Sequence, residues 1–299
     1  MSHSETKDNE HPSDTRPFLC MPYWLTPSGP AGRWDNGEVR PLSLNPVAVS
    51  YMCDAIHAGP YTPGKPIDVT VDVLNSGGGN AAAIVIVSVY WAEPTAGFAT
   101  LNPLGSTSVV VMPSPSSPNI VTSAVVSGTI PEEAPAHVCL VVSVWHPLDK
   151  PSTACDPVGD RHWAQRNLQA VAAVGAGPTM MHFSVGNPFE TSKTFDLVIR
   201  KVDMQQARMV AGAFDAVPSE MSVRLRLFSR QGEALSRPGQ QTQARIELGA
   251  REGRSMTLQI AIDSDLRPGQ GIAIEALLLE SLRRPRPVGS LGMVVLSSR

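Results

Sequence analysis

The residues best equipped for chemistry in this chain gather in one stretch, His146-Pro-Leu-Asp149, Cys155-Asp156 and Asp160-Arg161-His162. Asp149, Asp156, Asp160 and His162 together offer carboxylate oxygens and an imidazole in an irregular segment, a donor set that a calcium or transition-metal ion takes. The same types also fit a plainer role. An aspartate in a loop accepts hydrogen bonds from backbone N–H groups and closes turns, with Arg161 and Arg166 as ion-pair partners and Trp163 and Leu168 at the core edge. The turn-closing role is the expectation, and the metal site is the subordinate alternative.

Other chemical motifs fail on physical grounds. Gly59-Pro-Tyr-Thr-Pro-Gly64-Lys65 matches a phosphate loop by letters, but that loop works through backbone N–H groups ahead of a helix. Pro60, Pro63 and Pro66 lack those donors, and a strand follows. No nucleophile elbow of the G-x-S-x-G kind occurs. The seven histidines are dispersed, and Glu132-Glu133 sits in a proline-bounded turn that suits solvated charges. The chain is therefore expected to hold no catalytic residue and no cofactor.

Two segments suit contact with other proteins. Pro17-Phe-Leu-Cys-Met-Pro-Tyr-Trp-Leu-Thr-Pro27 is aromatic, and its prolines keep it extended. Phe18, Tyr23, Trp24 and Leu25 are its anchors, either across its own domain or in a neighbour's sheet or groove. Arg283-Arg284-Pro285-Arg286 is expected at a hairpin tip, solvated or set against an acidic partner surface.

The elements that position these residues are strands. Ile67, Val69, Val71 and Val73 alternate with Asp68, Thr70 and Asp72, the period of two of a sheet with one buried face. Pro63-Gly64 turns into this strand, and Asn75-Ser-Gly-Gly-Gly-Asn80 ends it before Ala82–Trp91 resumes. Further strands are expected at Ser106–Met112, Ile120–Ile130, Val138–Trp145, Met181–Pro188, Phe195–Lys201, Met221–Phe228, Ala244–Leu248, Ser255–Ile262, Gly271–Leu279 and Gly289–Leu296. Asp203–Phe214 is compatible with a short helix. Many short strands punctuated by Pro and Gly describe sandwiches.

This order of residues resembles the bacterial adhesion-related immunoglobulin-like domain often called CARDB. The features that carry the resemblance are Val47–Tyr51, Pro63-Gly64, Ile67–Leu74, Asn75-Ser-Gly77, Ile84–Trp91, Ala136–Trp145 and Asp160–Leu168. It spans roughly residues 45–175 and implies a sandwich with a binding or spacing role and no chemistry. Met181-His-Phe-Ser-Val-Gly-Asn187-Pro188 resembles the start of a second immunoglobulin-like domain. The expected class is thus all-β, with two tandem immunoglobulin-like sandwiches at 45–175 and 179–299. A disordered tail and extended arm over 1–44 precede them, and the linker is placed at Gly175–Pro178.

Composition narrows the function. Only 17% of residues are charged, against about 25% in an average domain. Residues 1–192 carry 8 Lys/Arg and 16 Asp/Glu, net −8, whereas 193–299 carry 16 and 11, net +5. Opposite halves favour head-to-tail contact between copies, which closes into rings or runs on as filaments. The basic half has scattered arginines and few interleaved aromatics, which argues against nucleic-acid binding.

Cys20, Cys53, Cys139 and Cys155 are too few for a disulfide scaffold and lack zinc spacing. Cys139 reads as a core thiol, with a Cys139–Cys155 bridge left open. The N-terminus has no apolar secretion region and no run is long enough to span a membrane. This reads as cytoplasmic or particle-associated, with export by another route left open. The expected function is a non-enzymatic structural or adhesive subunit whose partner is protein, as a homo-oligomer or within a larger assembly. The alternative is a ligand- or substrate-binding accessory module beside a separate enzyme.

Overall fold

The computed structural model describes residues 15–25, 34–42, 50–114, 119–135, 137–172 and 177–297. In chain order the elements of the first half are β1 (Leu19–Cys20), β2 (Ile56–Ala58), β3 (Pro66–Asn75), β4 (Ala83–Ala92), β5 (Thr95–Ala96) and β6 (Asn102–Val111). These are followed by β7 (Val121–Thr122), β8 (Val126–Thr129), β9 (Cys139–Trp145), β10 (Trp163–Arg166) and β11 (Leu168–Ala172). The second half has β12 (Thr179–Gly186), β13 (Lys193–Lys201), α1 (Met204–Gly212), β14 (Val217–Pro218) and β15 (Val223–Ser229). It ends with β16 (Gln241–Leu248), β17 (Gly253–Ile262), β18 (Gln270–Glu280) and β19 (Arg286–Leu296). The class is the one expected in being all-β, with two β-sandwiches and an extended arm. The expected strand Val47–Tyr51 falls mostly outside the described residues, and residues 1–14 and the first two residues of the expected linker, Gly175 and Ala176, fall wholly outside them.

The first sandwich is organised around β3. Short strands β2 and β1 pair with successive stretches of one edge, and β8 and β7 with the other. Its partner is the antiparallel sheet β10-β9-β4-β6. Ile67, Val69, Val71 and Val73 meet Val85, Val87, Val89, Val142 and Val144 in one core. Asp72 departs from the sequence expectation. Its place in the pattern puts it in water, yet it is buried, accepting hydrogen bonds from Thr122 Oγ1 (2.6 Å) and contacting His57 Nε2 (2.8 Å).

The second sandwich faces β11-β19-β18-β13-β16, with β14 on β18, against β15-β17-β12-β5. Phe183, Phe195, Leu197, Leu225, Leu258, Leu278 and Met293 fill it. Two of its strands come from before residue 175. β5 pairs parallel with β12, and β11 pairs parallel with β19. Cys139, Val141 and Trp163 from β9 and β10 also belong to the second core. The sheet containing β9 is thus packed on both faces at this end, and Cys139–Val144 is buried throughout and apolar except at Ser143.

The junction is close enough to need glycine. Gly97 follows β5 at φ 84°, and a Cβ there would lie 2.4 Å from Gly186 O and 2.8 Å from Leu278 Cδ2. A Cβ on Gly289 would lie 2.4 Å from Gly97 N. Three glycines therefore let three backbone segments touch where the halves meet.

The helix left undecided by the sequence is present. Asp203 caps it by accepting from Gln206 N at 2.9 Å. Ala207 and Val210 pack it on Tyr51, Ala273 and Val294. Gln206 Nε2 bridges Tyr51 Oη (3.0 Å) and the buried Glu275 Oε2 (2.9 Å), and Arg200 Nε donates to Glu275 Oε1 at 2.7 Å.

Candidate functional site: the junction of arm, loop and second sandwich

Asp149 and Asp160 flank His162 in the stretch singled out for chemistry. His162 Nδ1 lies 2.7 Å from Asp160 Oδ1, and Nε2 lies 3.0 Å from Asp149 Oδ1. The second contact is off the hydrogen-bond axis, leaving Nε2 without a well-aligned partner, so it acts as an ion pair. Arg161 also pairs with Asp149 Oδ1, and Leu19 N donates to Asp149 Oδ2 at 2.6 Å. Asp160 additionally accepts from Ser152 N (2.6 Å) and His162 N (2.9 Å).

The electrostatics follow from this enclosure. Burial opposes charging of His162, but the two carboxylates outweigh it and raise its pKa. Burial likewise opposes ionisation of Asp160, yet the imidazole and two backbone N–H groups hold it well below the usual carboxylate range. The signs give a pH window. The stabilisation from His162 is complete below its unfolded pKa of about 6.5 and is lost as pH rises through the raised folded value. That from Asp160 is present above about pH 4 and is lost as pH falls through its depressed value. We expect thermal stability of the wild type to decline as pH rises above about 6.5. His162→Gln should remove that decline, and a Tm-against-pH series on both proteins checks it. Parallel curves would contradict a charged His162.

Asp156 belongs to a second contact. It accepts from Gly159 N (2.8 Å) and from Arg286 Nη1 (2.8 Å). Burial raises its pKa despite Arg286. Arg286 also reaches Glu280 at 3.3 Å and lies over the Phe189 ring at 5.4 Å. Arg251 Nη2 donates to Thr153 O at 3.1 Å. The loop is thus held by the arm on one side and the second sandwich on the other. Among the described residues no group of three His, Cys, Asp or Glu side chains has metal-binding geometry. Each carboxylate named as a metal candidate is turned toward an arginine, His162 or a backbone N–H.

The arm anchors are engaged with their own chain. Phe18 lies under the Arg161 guanidinium at 3.8 Å, and its N donates to Asn75 Oδ1 at 3.0 Å. Leu19 and Cys20 add to the edge of β3. Tyr23 is buried in the first core, and its hydroxyl donates to Pro157 O at 3.3 Å and accepts from Gln165 N at 3.3 Å. Trp24 packs on that core and Leu25 is half-buried. Of the expected hairpin-tip cations, Arg283 and Arg284 are exposed, and Arg286 turns back onto Asp156 and Glu280.

Asp35 and Arg40 were not signalled by the sequence. Arg40 grips Asp35 through both terminal nitrogens (3.0 and 2.9 Å), and Asp35 accepts from Tyr23 N at 2.9 Å. Their segment has no periodicity, and a five-residue spacing between opposite charges has no meaning outside a regular element. The four cysteines are free and buried, and burial pushes the Cys139 thiol up to about 12.

Two clefts flank the junction. One of about 710 Å³ is lined by Phe18, Ser76, Gly77, Asp149 and Arg161. Another of about 730 Å³ lies between Arg40, Lys150, Asp160 and Phe189.

No family model matches the chain, and no curated protein matches it in sequence. The solved structures that resemble parts of it include the following three. The N-terminal domain of PorA shares 14% identity over 44% of this chain and 87% of its own, with a TM-score of 0.30. The collagen adhesin CNA from S. aureus shares 8% over 80% and 91%, at 0.25. The CupB6 tip adhesin from Pseudomonas aeruginosa shares 10% over 80% and 93%, at 0.23. Scores this low align no functional residues, so the reading below rests on the geometry of this chain.

Proposed function

We propose that the chain is a non-enzymatic structural or adhesive subunit that assembles with copies of itself or decorates a larger protein complex. The observation that carries this reading is the use made of its reactive side chains. Asp149, Asp156, Asp160, Arg161, His162 and Arg286 join arm, loop and second sandwich into one body. A strand-built body with an acidic and a basic half suits repeated contact with other proteins. In this reading residues 45–175 form a CARDB-like unit and 179–299 a second immunoglobulin-like unit. No nucleic acid or membrane partner is invoked, and no helix among the described residues is long and apolar enough to cross a membrane.

The test is solution mass by light scattering at low salt and at about 0.5 M, where attraction between exposed charges is strongly screened. Oligomers that dissociate at high salt support contact through the charged halves. A monomer under both conditions argues against self-assembly. The two clefts beside Arg161 and Arg40 favour the second reading, a ligand-binding accessory module, and in that case ligand screening would show saturable binding by a monomer.

A further inference from the structure

Asn36 is the one asparagine of the chain that precedes a glycine, and its turn is built around that step. Gly37 takes φ 84° and is seated on β1, where a Cβ would lie 2.8 Å from Cys20 Cβ, so the position needs glycine. Asn36 Oδ1 accepts from Glu38 N at 3.2 Å, which curls the side chain back over the peptide between them. The Gly37 N–H serves no backbone acceptor. It donates to Asp35 Oδ1 at 3.0 Å, and Asp35 is 4% exposed and gripped by Arg40.

These contacts suit the closing of a ring. Only Cβ, Cα and the carbonyl carbon separate Asn36 Cγ from Gly37 N, so a bond between the two makes a five-membered imide. An amide nitrogen attacks poorly until its proton is drawn off, and a base within hydrogen-bond reach draws it off. A donor on the attacked carbonyl stabilises the oxygen as it becomes negative. Asp35 holds the first place and Glu38 N the second. Asn75 offers a contrast within the same chain. Its Oδ1 accepts from Gly77 N at 3.1 Å in the same kind of turn. There, however, Ser76 N donates to Phe18 O at 2.9 Å, a carbonyl that takes up no proton, and Asn75 is 0% exposed.

We propose that Asn36-Gly37 is a self-modifying site at which Asp35 promotes loss of the Asn36 side-chain amide. Asp35 takes the Gly37 proton as that nitrogen bonds to Asn36 Cγ. The Cγ–Nδ2 bond then breaks, and Nδ2 takes the proton back and leaves as ammonia. Asn36 is half-buried, so water reaches the imide and opens it at either carbonyl. The product is aspartate, or isoaspartate with one extra atom in the main chain. The consequence falls on the arm. Asp35 N donates to Trp24 O at 3.0 Å, Asp35 Oδ2 accepts from Tyr23 N at 2.9 Å, and Ser76 Oγ donates to Asn36 O at 3.0 Å. A longer main chain between 36 and 37 cannot keep Gly37 on Cys20 and hold all three bonds, and the new carboxylate stands beside Asp35. The aged chain therefore has a loosened arm, whatever the chain assembles with.

Peptide mapping by mass spectrometry tests the proposal on the folded full chain, incubated over about pH 6–9 beside Asp35→Asn. Conversion is read as a gain of about 1 Da in the peptide that holds Asn36, with isoaspartate and aspartate separated by chromatography. The ionisable groups facing Asp35 are Arg40, Tyr23, Cys20 and Cys53, with Arg161 against Gly37. Burial holds the protons of the phenol and both thiols, and the arginines stay charged, so none of these neighbours titrates in that range. The expected result is conversion at Asn36 and not at Asn75, at a rate level across the pH range because the base is a fixed carboxylate and not hydroxide. Asp35→Asn should slow it by about tenfold or more. If that variant does not fold, the wild-type pH profile carries the test. No conversion at Asn36 overturns the proposal. So does a rate that climbs about tenfold per pH unit, which marks hydroxide as the base.

Discussion

Replacing Asp149 by alanine should lower the unfolding free energy by about 3–5 kcal/mol, the range found when one partner of a buried ion pair is removed. The Asp149 side chain is 10% exposed and sits between Arg161 and His162, whose side chains are 23% and 4% exposed. Truncation leaves both cations facing each other without their shared carboxylate and strips Leu19 N of its acceptor. The consequence reaches beyond the loop, because β1 is only two residues long and Asp149 binds its first N–H. Urea unfolding of wild type, Asp149→Ala and Asp149→Asn gives the numbers. The asparagine keeps an acceptor for Leu19 N and should recover part of the loss. A loss below about 1 kcal/mol for the alanine would show that this contact behaves like an exposed salt bridge and that the junction is held elsewhere.

The second large effect is expected at Gly97. Alanine there meets two costs at once. A left-handed φ disfavours any Cβ by about 1–2 kcal/mol, and the new methyl would sit 2.4 Å from Gly186 O. The obstructing atom is backbone in a paired strand, so relief requires β5 to move off β12. We expect Gly97→Ala to destabilise by about 3 kcal/mol or more, among the larger single-site effects. Gly232→Ala is the matched control: its φ is also 84° but no atom lies within 4 Å of its Cβ. It isolates the conformational cost. Equal losses at the two sites would mean that the close approach of the halves contributes nothing.

Much of the scaffold was legible because strands with one buried face announce themselves by alternation. β3, β15 and β16 bury every second residue through much of their length. β9 was legible for the opposite reason, an apolar run broken only by Ser143. What stayed hidden was pairing between short or distant pieces. β1 and β5 have two residues each, too few to carry a period, and their strand character comes wholly from β3 and β12. Asp72 was assigned to water because alternation says nothing of the His57 and Thr122 side chains that lie over it. The helix at Met204–Gly212 was ambiguous because its apolar contacts, Ala207 and Val210, make a narrow stripe.

The site divides in the same way. The concentration of Asp and His between 146 and 162 was visible in the letters, as was their capacity to close turns. Their actual partners were not. Leu19 N is 130 residues from Asp149, and Arg286 is 130 residues from Asp156. Arg286 was read with Arg283 and Arg284 as one basic tip, yet the structure turns it inward onto Asp156 while its two neighbours stay in solvent. No local pattern distinguishes the three.

The parallel pairing of β11 with β19 bears on how the chain is made. β11 lies at Leu168–Ala172, and its partner begins at Arg286 and pairs from Gly292 onward. On a ribosome adding about 5–20 residues per second, the first sandwich can close while β11 waits several seconds for its neighbour. β5 waits for β12 in the same interval, with Cys139, Val141 and Trp163 uncovered. The nascent chain therefore passes through a stage with a finished core and an unfinished sticky face, the situation in which a chaperone or a neighbouring nascent copy finds most to hold.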